Sequence, residues 1–540
     1  MTQRAAMGRV LPARRLTLSA LYPNITLMLN ENPQIKNLLK YGAWTLGAGL
    51  CLFLALYFLS PGKNTRDLAG GKPNILLITI DTLRPDFLSA YGFTRHKTEN
   101  IDKLAKNGTI FDSAYCDVTW TTPAMASTLT GTFPYKHQLR SMYQSLPASA
   151  KTVAESLKNA GYDTAAVIGS FPLAAVYKLD QGFAVYDDAF TEAIFVGPRT
   201  PQDVENQWGD TINQRKQLFF KKIVNKSRRP DKDVSAIAVR MLDGFAKDAS
   251  NNKPFFLWVH YFGPHDIPDL RLNRLDNWKI HASGYAGKVL DTDKALGDLL
   301  SALEASKFRD NTLVIFHADH GESLWEHGFV GHGVYLYEDN LRIPLIMKWP
   351  GRIPKGKRVP ALVGNIDIAA TILEAAGVRD AEMEGIMDGK SLFPVIDKGK
   401  QIHDSLYFET YLCAHDLHAE IINTNDGNQL KVGIYCCGVL RKPWKYIKTG
   451  FSPLFDAPDR VIPPAIRTQV EKDELFNLAQ DAAELHSLAQ TPGNGNGPMM
   501  QNLIRLLTQY TTPGKVNPDK NRRQVTKDQL DKLRSLGYVK

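Results

Sequence analysis

Three apolar runs, each leading to a titratable side chain, constrain this chain more than anything else in it. Asn74-Ile-Leu-Leu-Ile-Thr-Ile80 is followed by Asp81, Pro254–His260 closes on His260, and Thr312–Phe316 leads to Asp319. Runs of this length without polar alternation suit strands buried on both faces. Between them the pattern turns helical. Thr152–Ala160 reads as a helix stopped at Gly161, Val234–Ala249 as an amphipathic helix and Asp291–Ser306 as another helix. Thr164–Gly169 and Ile343–Lys348 read as further strands. The alternation predicts an α/β fold, with a mixed, mostly parallel sheet sandwiched by helices. Ligands of such sheets gather at the carboxyl ends of the strands. Asp81, His260 and Asp319 fall there.

The N-terminal part has a different character. Tyr41–Leu59 is nineteen residues without a charge, enough at helical rise for a bilayer core of about 30 Å. Trp44 and Tyr57 near its ends suit the membrane interface. The run is longer than a usual signal-peptide core, and forty residues precede it, so it reads as one retained transmembrane helix rather than a cleaved signal. Residues 1–40 carry Arg4, Arg9, Arg14, Arg15, Lys36 and Lys40 against Glu31 alone. That excess predicts a cytoplasmic N-terminus and a catalytic domain outside, periplasmic or extracellular. The remaining chain is only mildly basic, with no basic aromatic patch, so no nucleic-acid partner is expected. The expected organisation is a basic tail at 1–40, the anchor at 41–59, a linker at 60–72, a catalytic domain at 73–378 and a smaller C-terminal α+β subdomain at 379–540. Thr191–Asp231 lacks clean periodicity and reads as an insertion. Among the five cysteines, Cys413, Cys436 and Cys437 lie close enough for one disulfide, or they are buried free thiols.

Two segments concentrate the chemistry: Trp120-Thr121-Thr122-Pro123-Ala124-Met125-Ala126-Ser127-Thr128-Leu129-Thr130-Gly131 and Asp319-His320-Gly321-Glu322. Together with Asn100–Ala105, Leu179–Phe183, Tyr186-Asp187-Asp188, His260–Asp266, Glu474–Leu478 and Leu533–Val539, they resemble the sulfatase family of the alkaline phosphatase superfamily. The resemblance runs from about Lys72 to the C-terminus. The family signature is Cys/Ser-x-Pro-x-Arg followed by small residues ending in Leu-Thr-Gly. Pro123, Ala126, Leu129, Thr130 and Gly131 fit it. The nucleophile slot, however, holds Thr121, and the Arg slot holds Met125. Threonine cannot become formylglycine, the aldehyde hydrate that sulfatases use, so no formylglycine is expected. A threonine hydroxyl can instead attack phosphorus directly.

The resemblance also implies a metal. Calcium-dependent sulfatases use three Asp and one Asn. Here the second Asp slot holds Thr82 and the Asn slot holds His320. The implied set is Asp81, Thr121, Asp319 and His320, similar to the single-metal site of phosphoethanolamine and phosphoglycerol transferases. Two carboxylates, an imidazole and an alkoxide favour one zinc or manganese ion over calcium, which prefers six to eight hard oxygens. Without the surrounding motifs, Thr121 or Asp319 would read as a helix cap. By motif position, His265 and His332 join Thr121 as catalytic groups that act on the leaving oxygen or the anion. His260 and His327 are candidates for substrate binding. The expectation is a membrane-anchored, metal-dependent hydrolase or transferase of phosphoester or phosphodiester bonds, in a bacterial inner membrane. A phospholipid head group or envelope glycan would be its substrate. The rival expectations are a sulfuric-ester hydrolase and a catalytically silent scaffold.

Overall fold

β1 (Asn74–Ile80) lies in the middle of the main sheet with every residue buried, as a run without polar alternation requires. The computed structural model describes residues 71–196, 220–225, 227–247, 253–266, 278–411, 420–423, 429–432, 434–451, 471–489, 497–511 and 523–536. The basic tail, the expected membrane helix at 41–59 and Cys413 lie outside them. No helix among the described residues is long and apolar enough to cross a membrane.

The remaining strands of the main sheet are β2 (Thr109–Tyr115), β3 (Asp163–Val167), β4 (Val185–Asp187), β5 (Phe255–Tyr261), β6 (Thr312–Ala318), β7 (Arg342–Ile343), β8 (Leu345–Lys348) and β9 (Lys357–Gly364). β1 runs parallel between β5 and β6. Beyond β5 the parallel arrangement continues through β3 to β4. On the other side β8 lies antiparallel between β6 and β2, and β9 pairs parallel with β2. The strand expected at Ile343–Lys348 is thus two strands, because Pro344 has no N–H for the ladder. The register against β2 slips there, from Ile343 opposite Ala114 to Ile346 opposite Ile110. The Tyr91 hydroxyl enters the gap, accepting from Leu345 N–H at 2.9 Å and donating to Leu345 O at 3.0 Å.

Three helices position the site. α1 (Thr121–Thr130) follows β2, α2 (Asp231–Lys247) precedes β5, and α3 (Trp278–Ala305) packs against α2. α3 begins thirteen residues before the expected Asp291, since Gly284 and Gly287 mask its periodicity. α4 (Gly497–Thr511) covers a separate antiparallel sheet of β10 (Leu406–Tyr411), β11 (Ile434–Arg441), β12 (Trp444–Phe451) and β13 (Lys472–Asn477). That sheet lies within the segment expected to be α+β. Cys436 and Cys437 in β11 are buried thiols in no disulfide. Within the expected insertion, Thr191–Val196 and Phe220–Asn225 pair as an antiparallel ribbon.

Candidate active site

Register decides where the acidic groups emerge. Ile80 pairs with Ala318, so Asp81 and Asp319 leave the sheet side by side. His260 pairs with Thr79, one strand over and two residues before Asp81. The chain then turns sharply: Thr82 has φ 55, and its N–H donates to Asp319 Oδ1 at 3.0 Å. Tyr285 holds the turn by donating to Thr82 O at 2.7 Å. Asp319 Oδ1 also accepts from His320 N–H at 2.8 Å. Its Oδ2 and both oxygens of Asp81 receive no hydrogen bond of ordinary geometry, although both residues are completely buried.

The His320 ring completes this cluster. Its Nδ1 is 2.9 Å from Gly321 O. A carbonyl only accepts, so Nδ1 carries the proton and Nε2 presents a lone pair. That Nε2 lies 3.2 Å from Thr121 Oγ1, 3.5 Å from Asp319 Oδ2 and 4.0 Å from Asp81 Oδ1. His260 Nε2 is 4.0 Å from Asp81 Oδ2, and ligand atoms of Asp81, His260 and Asp319 all fall within 4.8 Å of one another. The four residues expected to hold metal therefore converge. His260, expected to bind substrate, lies at ligand distance among them.

The electrostatics favour a cation at this point. Burial, and next the neighbouring Asp319, push the Asp81 carboxyl well above its ordinary range, and the Thr121 hydroxyl opposes the shift. Burial also raises Asp319, against the neighbouring His320 and the N–H groups of Thr82 and His320. Among the described residues neither carboxylate forms an ion pair with Lys or Arg. Burial, and then His317 and His320, hold His260 at about 3, so its imidazole is neutral. Two buried carboxylates with orphaned oxygens beside a neutral imidazole suit a divalent metal, since uncompensated buried charge is otherwise costly.

Thr121 is the first residue of α1, and its N-cap is the extended Trp120. The helix-capping alternative for Thr121 therefore does not hold. The base of α1 is pinned by Asn365, whose Nδ2 donates to Asp117 Oδ1 at 3.0 Å and to Ala124 O at 3.2 Å. Met125 is completely buried in the core, so its position brings no cation to the site.

Two of the other expected histidines are close by. The His332 ring lies 4.5 Å from that of His320 and 5.0 Å from that of His265. His332 Nδ1 faces the buried Glu322 carboxylate at 3.2 Å. The Trp120 ring meets His332 edge-on at 5.5 Å. Gly333 permits that approach: a Cβ there would stand 2.2 Å from Trp120 Cε2. His265 stacks on Phe262 at 4.5 Å, and burial followed by His320 holds it at about 3. His327 departs from expectation. The hairpin of Ser323–Leu324 with Val330–Gly331 carries it away from the strand ends, and it stacks on Tyr337 at 3.8 Å. There it lines a cavity of about 680 Å³ with Arg84, Glu326 and Arg342. Sequence reasoning gave no role to Glu322, although it lies three residues after Asp319, nor to Asp231, which no motif marks.

Comparison with known proteins agrees with this geometry. The sulfatase family model matches residues 73–378. A choline-sulfatase of Rhizobium meliloti is 24% identical over 489 residues, spanning 80% of this chain and 84% of the relative. An arylsulfatase of Hemicentrotus pulcherrimus is 28% identical over 376 residues, spanning 64% of this chain and 66% of the relative. The solved phosphonate monoester hydrolase of Agrobacterium radiobacter superposes with a TM-score of 0.57 at 18% identity, covering 82% of this chain and 96% of its own. That likeness speaks to the fold.

Proposed function

Because this chain belongs to the sulfatase family, a family of ester hydrolases, we propose that it cleaves or transfers phosphoester or phosphodiester groups with Thr121 as nucleophile. The observation that carries this reading is the Thr121 hydroxyl, 3.2 Å from His320 Nε2 at a position where formylglycine cannot form. Asp81, Thr121, Asp319 and His320 would hold one divalent metal, with His260 beside them, and the imidazole content favours zinc or manganese over calcium. Such an ion would polarise the phosphoryl oxygen and favour the threonine alkoxide.

The residues then divide the work. Thr121 Oγ, its proton released to solvent, attacks phosphorus in line, and the bond to the leaving oxygen breaks. Backbone N–H groups in the first turn of α1 face developing negative charge, as helix N-termini can. His332, backed by Glu322, protonates the leaving oxygen. His265, kept neutral by burial, donates its N–H to the same oxygen. Water or an acceptor hydroxyl displaces Thr121 from the phospho-threonine. A membrane helix at 41–59 would hold this machinery outside a bacterial inner membrane, close to phospholipid head groups or envelope glycans.

A second reading, sulfuric-ester hydrolysis, is favoured by the names of the curated relatives. The two separate on one experiment with the full chain loaded with zinc or manganese. An aryl phosphodiester and an aryl sulfate are offered to wild type and to Thr121→Ala. Phosphodiester turnover that disappears in the variant supports the proposal. Sulfate turnover that survives in the variant overturns it.

A further inference from the structure

Resting on that reading of the site, we propose that Asp231 is a positioning residue for His265, supplied from α2 into space that Gly263 leaves open. Asp231 opens α2. Its Oδ1 accepts the backbone N–H groups of Phe262 at 3.1 Å and of Gly263 at 3.2 Å. Its Oδ2 accepts the Thr292 hydroxyl, from the middle of α3, at 2.5 Å. One carboxylate therefore ties the end of β5 to two helices. The tied segment is the single 3-10 turn Gly263–His265, closed by Asp266 N–H donating to Gly263 O at 3.0 Å.

The glycine shows that this latch excludes a side chain. A Cβ at position 263 would stand 2.0 Å from Thr292 Oγ1 and 2.3 Å from Asp231 Oδ2. Any substitution there must displace the latch. Hydrogen bonds to an ionised acceptor are shorter and stronger than neutral ones, and two of these three act on the turn's own backbone. His265 follows two residues after the latched Gly263; the Phe262 ring stacks against it at 4.5 Å and the His332 ring meets it edge-on at 5.0 Å. The latch and this stack set where the imidazole stands relative to the leaving oxygen.

That role has a signature that general loosening of the fold lacks. A hydrogen bond to the leaving oxygen matters in proportion to the charge developing there. A poor leaving group depends on it and a good one hardly does. The experiment compares a phenyl with a 4-nitrophenyl phosphodiester on the metal-loaded full chain. In Asp231→Ala, the N–H groups of Phe262 and Gly263 lose their acceptor. kcat/KM for the phenyl ester is expected to fall about tenfold to a hundredfold, the scale of a misplacement near 1 Å. The 4-nitrophenyl ester should stay close to wild type, with metal content unchanged. Gly263→Ala, which crowds the latch from the turn side, should give the same split. If Asp231→Ala does not accumulate, Thr292→Val reads the same ratio by removing only the outer bond. Equal losses on both esters, or no loss on the phenyl ester, would overturn the role of Asp231. Wild-type turnover that is absent, or indifferent to Thr121→Ala, would instead sink the reading of the site itself.

Discussion

Between the two sheets, Lys445 and Glu484 are both completely buried and 2.8 Å apart. Lys445 also reaches Glu338 at 3.2 Å, whose other oxygen accepts from Tyr115 at 3.0 Å, and Glu484 accepts from Glu338 N–H at 2.6 Å. At the carboxyl ends of β1 and β6, Asp81 and Asp319 are buried as deeply, but three of their four oxygens are orphaned. The first cluster has its counter-charge within the chain, Lys445 facing Glu484 Oε1, and joins the second sheet to the first. The second is complete only with a cation from outside. Burial alone therefore does not tell a structural carboxylate from a functional one. What distinguishes them is whether the chain itself supplies the counter-charge.

The sharpest way to break that contrast is to neutralise one member of each cluster. Asp81→Asn should abolish metal binding and lower turnover by about 10³-fold or more. Yet it should raise the thermal midpoint of the metal-free protein, since it removes a buried charge that repels Asp319. Calorimetry on chelator-treated protein reads the second effect. A lower midpoint would mean that Asp81 is structurally paired after all. Lys445→Met should do the reverse. It leaves Glu484 buried without a counter-charge and should cost about 3–5 kcal/mol in denaturant unfolding. Adding Glu484→Leu should recover much of that loss, which a mere packing defect would not allow.

Metal titration sharpens the contrast from the other side. Zinc or manganese at a hundred times its dissociation constant should stabilise wild type by about 2.7 kcal/mol. Asp319→Asn should lose that gain, whereas Lys445→Met should keep it from a lower baseline. A gain of equal size in Asp319→Asn would place the metal elsewhere.

The legible parts of this molecule were those in which local chemistry and tertiary position coincide. β1, β5 and β6 are buried on both faces, so their sequences need no polar alternation and announce themselves. Asp81, Asp319 and His320 sit in motifs attached to those strand ends, and Thr121 opens the helix after β2. His260 was placed with the substrate because motif spacing carries no register; only its pairing with Thr79 brings it level with the acidic pair. For His327 the motif does not convey the hairpin, closed by Ser323–Leu324 against Val330–Gly331, that stacks it on Tyr337 beside a cavity. Asp231 was invisible for a related reason. Read alone it is an acidic residue at a helix start, and its meaning lies in the empty Cβ position of a glycine 32 residues later.

A third buried carboxylate stands between these extremes and gives the smallest effect. Asp117, in the network that pins α1, accepts from Ser127 Oγ at 2.6 Å, and burial pushes its carboxyl up to about 7. Ser127 Oγ in turn lies 3.0 Å from His137 Nε2, while Leu139 N–H donates to His137 Nδ1 at 3.2 Å. Nδ1 must therefore stay unprotonated, and burial, followed by Arg140, holds His137 at about 3. The signs oppose each other. Between the ordinary carboxylate value near 4 and about 7, folded Asp117 keeps a proton that the unfolded chain releases, so its contribution to stability falls as pH rises. Between about 3 and 6.5, folded His137 refuses a proton that the unfolded chain takes, so its contribution rises with pH. Within the overlap the two slopes cancel, and the network is silent in wild type. Each substitution should expose the other partner. Relative to wild type between pH 4.5 and 6, His137→Gln should lose about 1 kcal/mol per pH unit as pH rises, and Asp117→Asn should gain as much. Urea midpoints at several pH values read both. An Asp117→Asn curve parallel to that of wild type would mean that Asp117 is ionised in the fold. It would then join Asp81 and Asp319 as a buried charge awaiting compensation, and the contrast between the clusters would have to be redrawn around three carboxylates instead of two.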